Sequence, residues 1–157
     1  MSLDTRQELY VRKIKDGTVI DHITSGYSLT VLKILGIDGK NGEVVTAAMN
    51  VESKTHNHKD IVKIQNRELK PAEVDKIALI APNATINIIR NFGVASKERV
   101  KLPSVIKGVV RCDNPSCISN SREPVDTQFG VDRREPVRLN CYFCGHVMER
   151  EDILKQF

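Results

Sequence analysis

Cys112, Cys117, Cys141 and Cys144 are the chain's four cysteines, and all fall in its last third. Their spacing, C-x4-C-x23-C-x2-C, makes two short pairs separated by a spacer. Such pairs suit a disulfide framework or a bound metal, and the two chemistries belong to different compartments. The opening SLDTRQELY holds no apolar run of the secretory kind, and no window approaches the ~18 apolar residues of a membrane span. A soluble cytoplasmic protein with reduced thiols is the expectation, so the pairs read as a tetrahedral all-cysteine zinc site, one per chain. Disulfide and iron–sulfur ligation are the alternatives. Four thiolates leave no open position on the metal, so the zinc is expected to be structural and not catalytic. His146, two residues past Cys144, is then a surface histidine.

Charge separates the two ends. Residues 1–103 carry 16 Lys and Arg against 12 Asp and Glu, whereas residues 104–157 carry 8 of each. Thiolates around a dication would turn the cysteine segment negative. That argues against nucleic-acid binding by the zinc segment, which would need a basic face, and aromatic residues at 4% leave little surface for base stacking. The front segment has room for an anionic ligand.

Few other residues announce chemistry. There is no G-x-S-x-G, P-loop, dinucleotide fingerprint or H-E-x-x-H. His56 and His58 sit in a polar loop and read as solvated. Asp21-His22 closes a strand just past the Asp16-Gly17 turn. Lys59 and Lys63, four apart on one strand, share a face; Lys97 and Arg99 do so if their strand reaches that far. Four cations from two strands would suit a polyphosphate.

The elements that must position these groups follow from periodicity. LYVRKIK and TVIDHI read as two short strands, or one broken by the turn. SLTVLKILGI places Leu29, Leu32, Ile34 and Leu35 on a helical face, with Ser25 or Ser28 as N-cap and Gly36 as stop. EVVTAAMNVES and KDIVKIQ form a hairpin. KPAEVDKIALIAP makes a helix between Pro71 and Pro82, with Val74, Ile77, Ala78 and Ala81 as its buried stripe. ATINIIRNF is a buried strand, and GVASKERVKL leads out towards a boundary at Pro103. The order β-α-β-β-α-β gives an α+β, ferredoxin-like domain with two helices on one face of an antiparallel sheet. VIKGVVRC, TQFGV, PVRLNC and the tail from His146 to Ile153 read as strands of a small all-β zinc-ribbon or rubredoxin-like domain.

GTVIDHI, KDIVKIQN, DKIALIAPNATINIIRNF and CDNPSCISN…EPV…F…LNCYFC together resemble the regulatory chain of aspartate carbamoyltransferase, over about residues 9–150 and in the same order. The resemblance implies a chain with no catalysis of its own that serves de novo pyrimidine biosynthesis. It implies an allosteric nucleotide-binding domain over residues 1–102 and a zinc domain over 103–157 that contacts the catalytic chain. CTP, UTP and ATP are the implied effectors. Asp21 and His22, Lys63, Asn87 and Ile89, Val94 and Lys97 are the implied nucleotide contacts, with Val11 to Ile14 presenting backbone groups to the base. The implied assembly has six regulatory chains, as three homodimers through the N-terminal domain, joining two catalytic trimers. Arg12, Lys13 and Ser116 depart from the family pattern, and Phe92 stands in the base-reading region where relatives carry tyrosine. A nucleic-acid-binding zinc ribbon and an amino-acid sensor on the same fold are the competing readings; no membrane is implied.

Overall fold

The computed structural model describes residues 13–55, 57–123 and 125–157. Two antiparallel sheets organise them. The first has β1 (Gly17–Thr24), β2 (Val45–Ser53), β3 (Asn57–Gln65), β4 (Thr85–Arg90) and β5 (Gly93–Arg99), in the order β2-β3-β1-β4-β5. Helices α1 (Ser28–Ile34) and α2 (Pro71–Ile80) connect β1 to β2 and β3 to β4. This is the expected split arrangement, with β5 added at an edge. The stretch Gly93–Arg99 is therefore a strand and not a simple exit towards Pro103. Asn91 and Phe92 take positive φ of 51° and 66°, a turn whose twist suits a tight hairpin, so the chain folds straight back on β4. The strand expected over residues 9–15 falls largely outside the described residues, and Lys13–Lys15 are not in a strand.

Alternation explains which face is buried. Thr18, Ile20, Val62, Ile64 and Ile86 point into a core closed by the two helices. Gly17 opens β1 at φ 140°, where an added Cβ would lie 2.1 Å from the Ile64 carbonyl oxygen, so only glycine lets β1 and β3 meet. On α1 the inward residues are Val31 and Leu35, with Leu32 and Ile34 half-buried, and Leu29 is exposed. Neither serine caps this helix through its side chain. Ser28 is its first residue, and its N–H donates to the buried Asp60 carboxylate. On α2, Leu79 and Ile80 are buried together with Ile77 and Ala78, because its last turn also meets the second unit.

That unit holds β6 (Val105–Lys107), β7 (Gln128–Arg134), β8 (Val137–Cys141) and β9 (Val147–Glu149), in sequential order. Of VIKGVVRC only the first three residues are strand; Gly108, at φ 66°, ends it. The tail is not strand throughout. Glu149 and Asp152 form a capping box that starts α3 (Arg150–Leu154), and Ile153 is buried. Helix α3 packs on α2, and the Arg150 guanidinium lies 4.9 Å from the Tyr27 ring centre. Val100 and Leu102 are buried in one cluster with Ile106 and Phe129, so apolar packing runs across the junction between the sheets.

Candidate functional site

The first chemical centre is the cysteine quartet. Cys112 follows the β6 exit, Cys117 precedes a single 3-10 turn (Ile118–Asn120), Cys141 ends β8, and Cys144 lies in the turn to β9. Each pair sits in a loop tied by backbone bonds: Cys117 N–H to Asn114 O, and Gly145 N–H to Cys141 O, with Gly145 at φ 74°. The Asn120 amide donates to the carbonyls of Cys112 and Asn114, closing the first loop. The four sulfurs lie within 4.8 Å of one another. Cys112–Cys144 and Cys117–Cys141 are each 3.7 Å apart, far beyond the ~2.05 Å of a disulfide. A tetrahedron with metal–sulfur arms of ~2.3 Å has edges of about 3.8 Å, so the quartet fits one metal ion.

Burial raises the pKa of Cys112 and Cys141. The Asn114 side chain and the His146 backbone amide instead lower exposed Cys144 to about 6. A cation at the centre would hold all four as thiolates. His146 is outside the quartet; its Nε2 lies 2.5 Å from the Asp113 carboxylate, a polar contact between the two loops. Exposed Ser116 donates its N–H to the Asn114 side chain, as part of the first loop.

The second centre is the face of the five-stranded sheet that the helices leave open. Register aligns Lys63 with Val19, Val19 with Asn87, and Asn87 with Lys97, one row across β3, β1, β4 and β5. Val19 alternates with the inward Thr18 and Ile20, so the row faces away from the helices. Three strand spacings of ~4.8 Å separate the two lysine backbones by about 14 Å, a span for an extended polyanion approached from both sides. The Asn87 amide donates to the Val19 carbonyl. Burial lowers the Lys63 pKa and Lys13 adds to this, whereas Asp21 opposes it.

Two residues along β1 and β4, the next row aligns Asp21, Thr85 and Arg99. Asp21 is held by Lys59 at 3.0 Å, and Arg99 donates to Asn83. Of the four cations expected to gather, Lys59 and Arg99 lie at the Asp21 end, and Lys63 and Lys97 define the row. Thr85 went unnoticed in the sequence because only register puts it beside Asp21. His22 sits at a bulge of β1 with φ 55°, its Nδ1 3.3 Å from the Thr85 hydroxyl. It also lines a 280 Å³ cavity shared with Glu135 and Arg150 of the second unit.

At the other end, Ile89 aligns with Gly17 and Val94. Ile14 and Ile89 are buried yet belong to no part of the main core, and Phe92 and Val94 are exposed. Phe92 N–H donates to Lys15 O, and Asn91 N–H to the Asp16 carboxylate, which brings the segment after Ile14 against the β4–β5 turn. Val11 and His56 lie outside the described residues, and His58 is exposed on β3. A larger cavity, 690 Å³, opens on the opposite, helix-covered side between α2 and β4–β5, and of the rows above only Arg99 contributes to its wall.

None of the described helices is long and apolar enough to cross a membrane. Family models match nearly the whole chain: the allosteric domain of the aspartate carbamoyltransferase regulatory chain over residues 9–101, and its metal-binding domain over 104–154. An aspartate carbamoyltransferase regulatory chain from Korarchaeum cryptofilum is 55% identical over 152 residues, covering 96% of this chain and 97% of that one. Those from Hyperthermus butylicus and Methanothermobacter thermautotrophicus are 51% and 54% identical, over 98% and 96% of this chain and 97% and 96% of their own. Both matched domains are regulatory or metal-binding in kind, not catalytic. With its sheet face and thiol quartet in the corresponding segments, the chain belongs to the aspartate carbamoyltransferase regulatory chains, which work with the catalytic chain of that enzyme.

Proposed function

We propose that the open face of the five-stranded sheet binds nucleoside triphosphates (CTP, UTP and ATP) and that their occupancy is passed to the catalytic chain through a zinc-held second domain. The observation that carries this reading is the row of Lys63, Val19, Asn87 and Lys97 across four strands, with an apolar end beside it and a carboxylate at the other. The base lies at the apolar end against Ile14, Ile89, Phe92 and Val94, with backbone groups of residues from Val11 onward reading its edge. Asp21 accepts from a sugar hydroxyl, Lys63 reaches sugar or phosphate, and His22 and Lys97 serve the phosphates. Asn87, anchored on Val19, presents its carbonyl oxygen to the ligand.

Zinc is the metal we assign to the four cysteines: sulfur–sulfur edges of 3.7 Å fit one tetrahedral ion, whereas a polynuclear iron–sulfur cluster would spread its cysteines wider. It supplies rigidity and no reaction. Residues 1–102 form the effector domain and 103–157 the zinc domain that grips the catalytic chain. Strand β2 is an edge with Val44 and Met49 exposed beside it, suited to pairing with a second copy. Three such dimers join two catalytic trimers, in the cytoplasm. Nucleic acid has no part in this reading.

The test is calorimetry of CTP, UTP and ATP on the full chain, followed by aspartate saturation of the assembled enzyme with each nucleotide. Competitive binding of all three, with a shift of the saturation curve, is expected. Binding of none, or binding that leaves the curve unmoved, overturns it. Elemental analysis should return one zinc per chain; iron in its place would overturn the metal assignment.

A further inference from the structure

Strand β1 does something that alternation forbids. Ile20 and Ile23, three apart, are both fully buried. The extra residue of a bulge makes this possible: Ile20 pairs with Val62 but Ile23 with Asp60, so β1 advances three residues while β3 advances two. Asp21 and His22 are left outside the core, His22 at positive φ. Strand β2 bulges at the same level, between Ala48 and Val51, with Asn50 at φ 58°.

Asp60 lies between the two bulges with none of its surface exposed. One carboxylate oxygen accepts the N–H groups of Gly26 and Ser28, each at 3.0 Å, just after β1. The other accepts Asn50 N–H at 2.9 Å, inside the β2 bulge. The Ser25 hydroxyl bonds the Asn50 side chain, which ties the two irregular segments to each other. Beside Asp60 on β3, Lys59 reaches Asp21 at 3.0 Å.

We infer that Asp60 is a positioning residue for the effector site: by anchoring the chain just past the β1 bulge and inside the β2 bulge, it fixes where Asp21 and His22 stand on the open face, and so sets sugar recognition. The inference rests on the nucleotide reading above. A bulge is one residue from a regular pairing, and losing it would swap the faces of every residue that follows. The carboxylate opposes that slip because it satisfies three N–H groups in the bulged arrangement. Helix capping alone would account for the Ser28 bond but not for those to Gly26 and Asn50.

The test uses the full chain assembled with its catalytic partner, and wild-type binding of CTP is measured first. If none is seen, the effector reading itself falls. Given binding, Asp60→Asn should weaken CTP by about tenfold and bring the ratio of CTP to 2′-deoxy-CTP affinity close to one. Inorganic triphosphate keeps Lys63 and Lys97 and loses only its His22 contact, so it should weaken by less than about threefold. A folded variant that keeps its sugar discrimination, or loses all three ligands equally, overturns the positioning role. Should the variant not fold, amide exchange on the wild type decides. CTP should slow exchange at Gly26, Ser28 and Asn50 more than inorganic triphosphate does, because coupling between two sites is reciprocal. Unchanged protection at all three amides on CTP binding overturns the inference.

Discussion

The two sheets are held together by different means. The five-stranded sheet closes on two helices, with Ile20, Ile23, Val62, Ile64, Ile77 and Leu79 all fully or almost fully buried. The four-stranded sheet offers Phe129, Leu139, Met148 and Ile153 as its largest fully buried side chains. Its loops carrying the two cysteine pairs are tied by a handful of hydrogen bonds and by the thiols themselves. A module of this size cannot bury enough apolar surface alone, so a metal supplies what the core lacks. On the function proposed above, an effector face requires a stiff sheet with one side open, whereas a docking module requires rigid tips.

Removing the metal is the largest perturbation that separates the two. Structural zinc in small modules is worth roughly 10–16 kcal/mol of apparent binding free energy. Chelation, or Cys141→Ser, should therefore unfold the β6–β9 unit while β1–β5 stay folded, apart from a loosened end of α2 where α3 packs. Amide exchange resolves the two sheets directly. If β7 and β8 keep their protection with no metal by elemental analysis, the contrast between the units is wrong.

Core truncation sharpens the same contrast at smaller cost. Ile20→Ala should lose about 2–5 kcal/mol and Phe129→Ala about 3–5 kcal/mol, since each side chain is fully buried. The second variant alone should lose metal more readily to a chelator, because Phe129 pairs in register with Cys141. Equal chelator sensitivity in the two variants would mean that the junction through Val100 and Leu102 fuses both sheets into one cooperative unit.

Much of this was legible in the sequence because its signals are local. The cysteine spacing, the Pro71 helix start and the alternation in TINIIR each need only a few neighbouring residues. Most of what escaped depends on contacts far along the chain. Leu29 looked inward by periodicity, but Ser28 is bound to Asp60, 32 residues on, and that anchor helps turn the helix so that Val31 is buried instead. The β5 strand was hidden by its charges, which an edge strand tolerates. The capping box of α3 was written in Glu149 and Asp152 yet overlooked beside a run of β-rich residues. The row from Lys63 to Lys97 is invisible without register, because its members span three separate turns of the chain.

On the open face, removing a charge should weaken binding without unfolding the chain. Lys97→Ala should weaken CTP and inorganic triphosphate by about tenfold, the scale of one charge-assisted hydrogen bond, and leave cytidine nearly unaffected. Thermal stability should barely move, since Lys97 lies on edge strand β5 and outside the core. Equal losses for nucleoside and triphosphate would take Lys97 away from the phosphates.

Titration of Lys63 gives the smallest effect. Burial holds its pKa below the usual 10.5, Lys13 pushes the same way, and Asp21 opposes them. An unfolded lysine binds its proton more firmly, so the folded chain carries a small penalty below the lowered pKa, and stability rises as pH climbs through the interval up to 10.5. A bound triphosphate reverses the local balance by bringing negative charge to the ammonium, which raises the pKa in the complex. Binding at alkaline pH therefore takes up a proton, and affinity falls as pH rises through the free chain's value. CTP affinity should therefore fall as the pH is raised into the alkaline range below 10.5. Lys63→Arg keeps a charge that does not titrate in this range, so its profile should be flat. A wild-type profile as flat as the arginine variant's would place Lys63 outside the reach of the phosphates and leave that role to Lys97 alone.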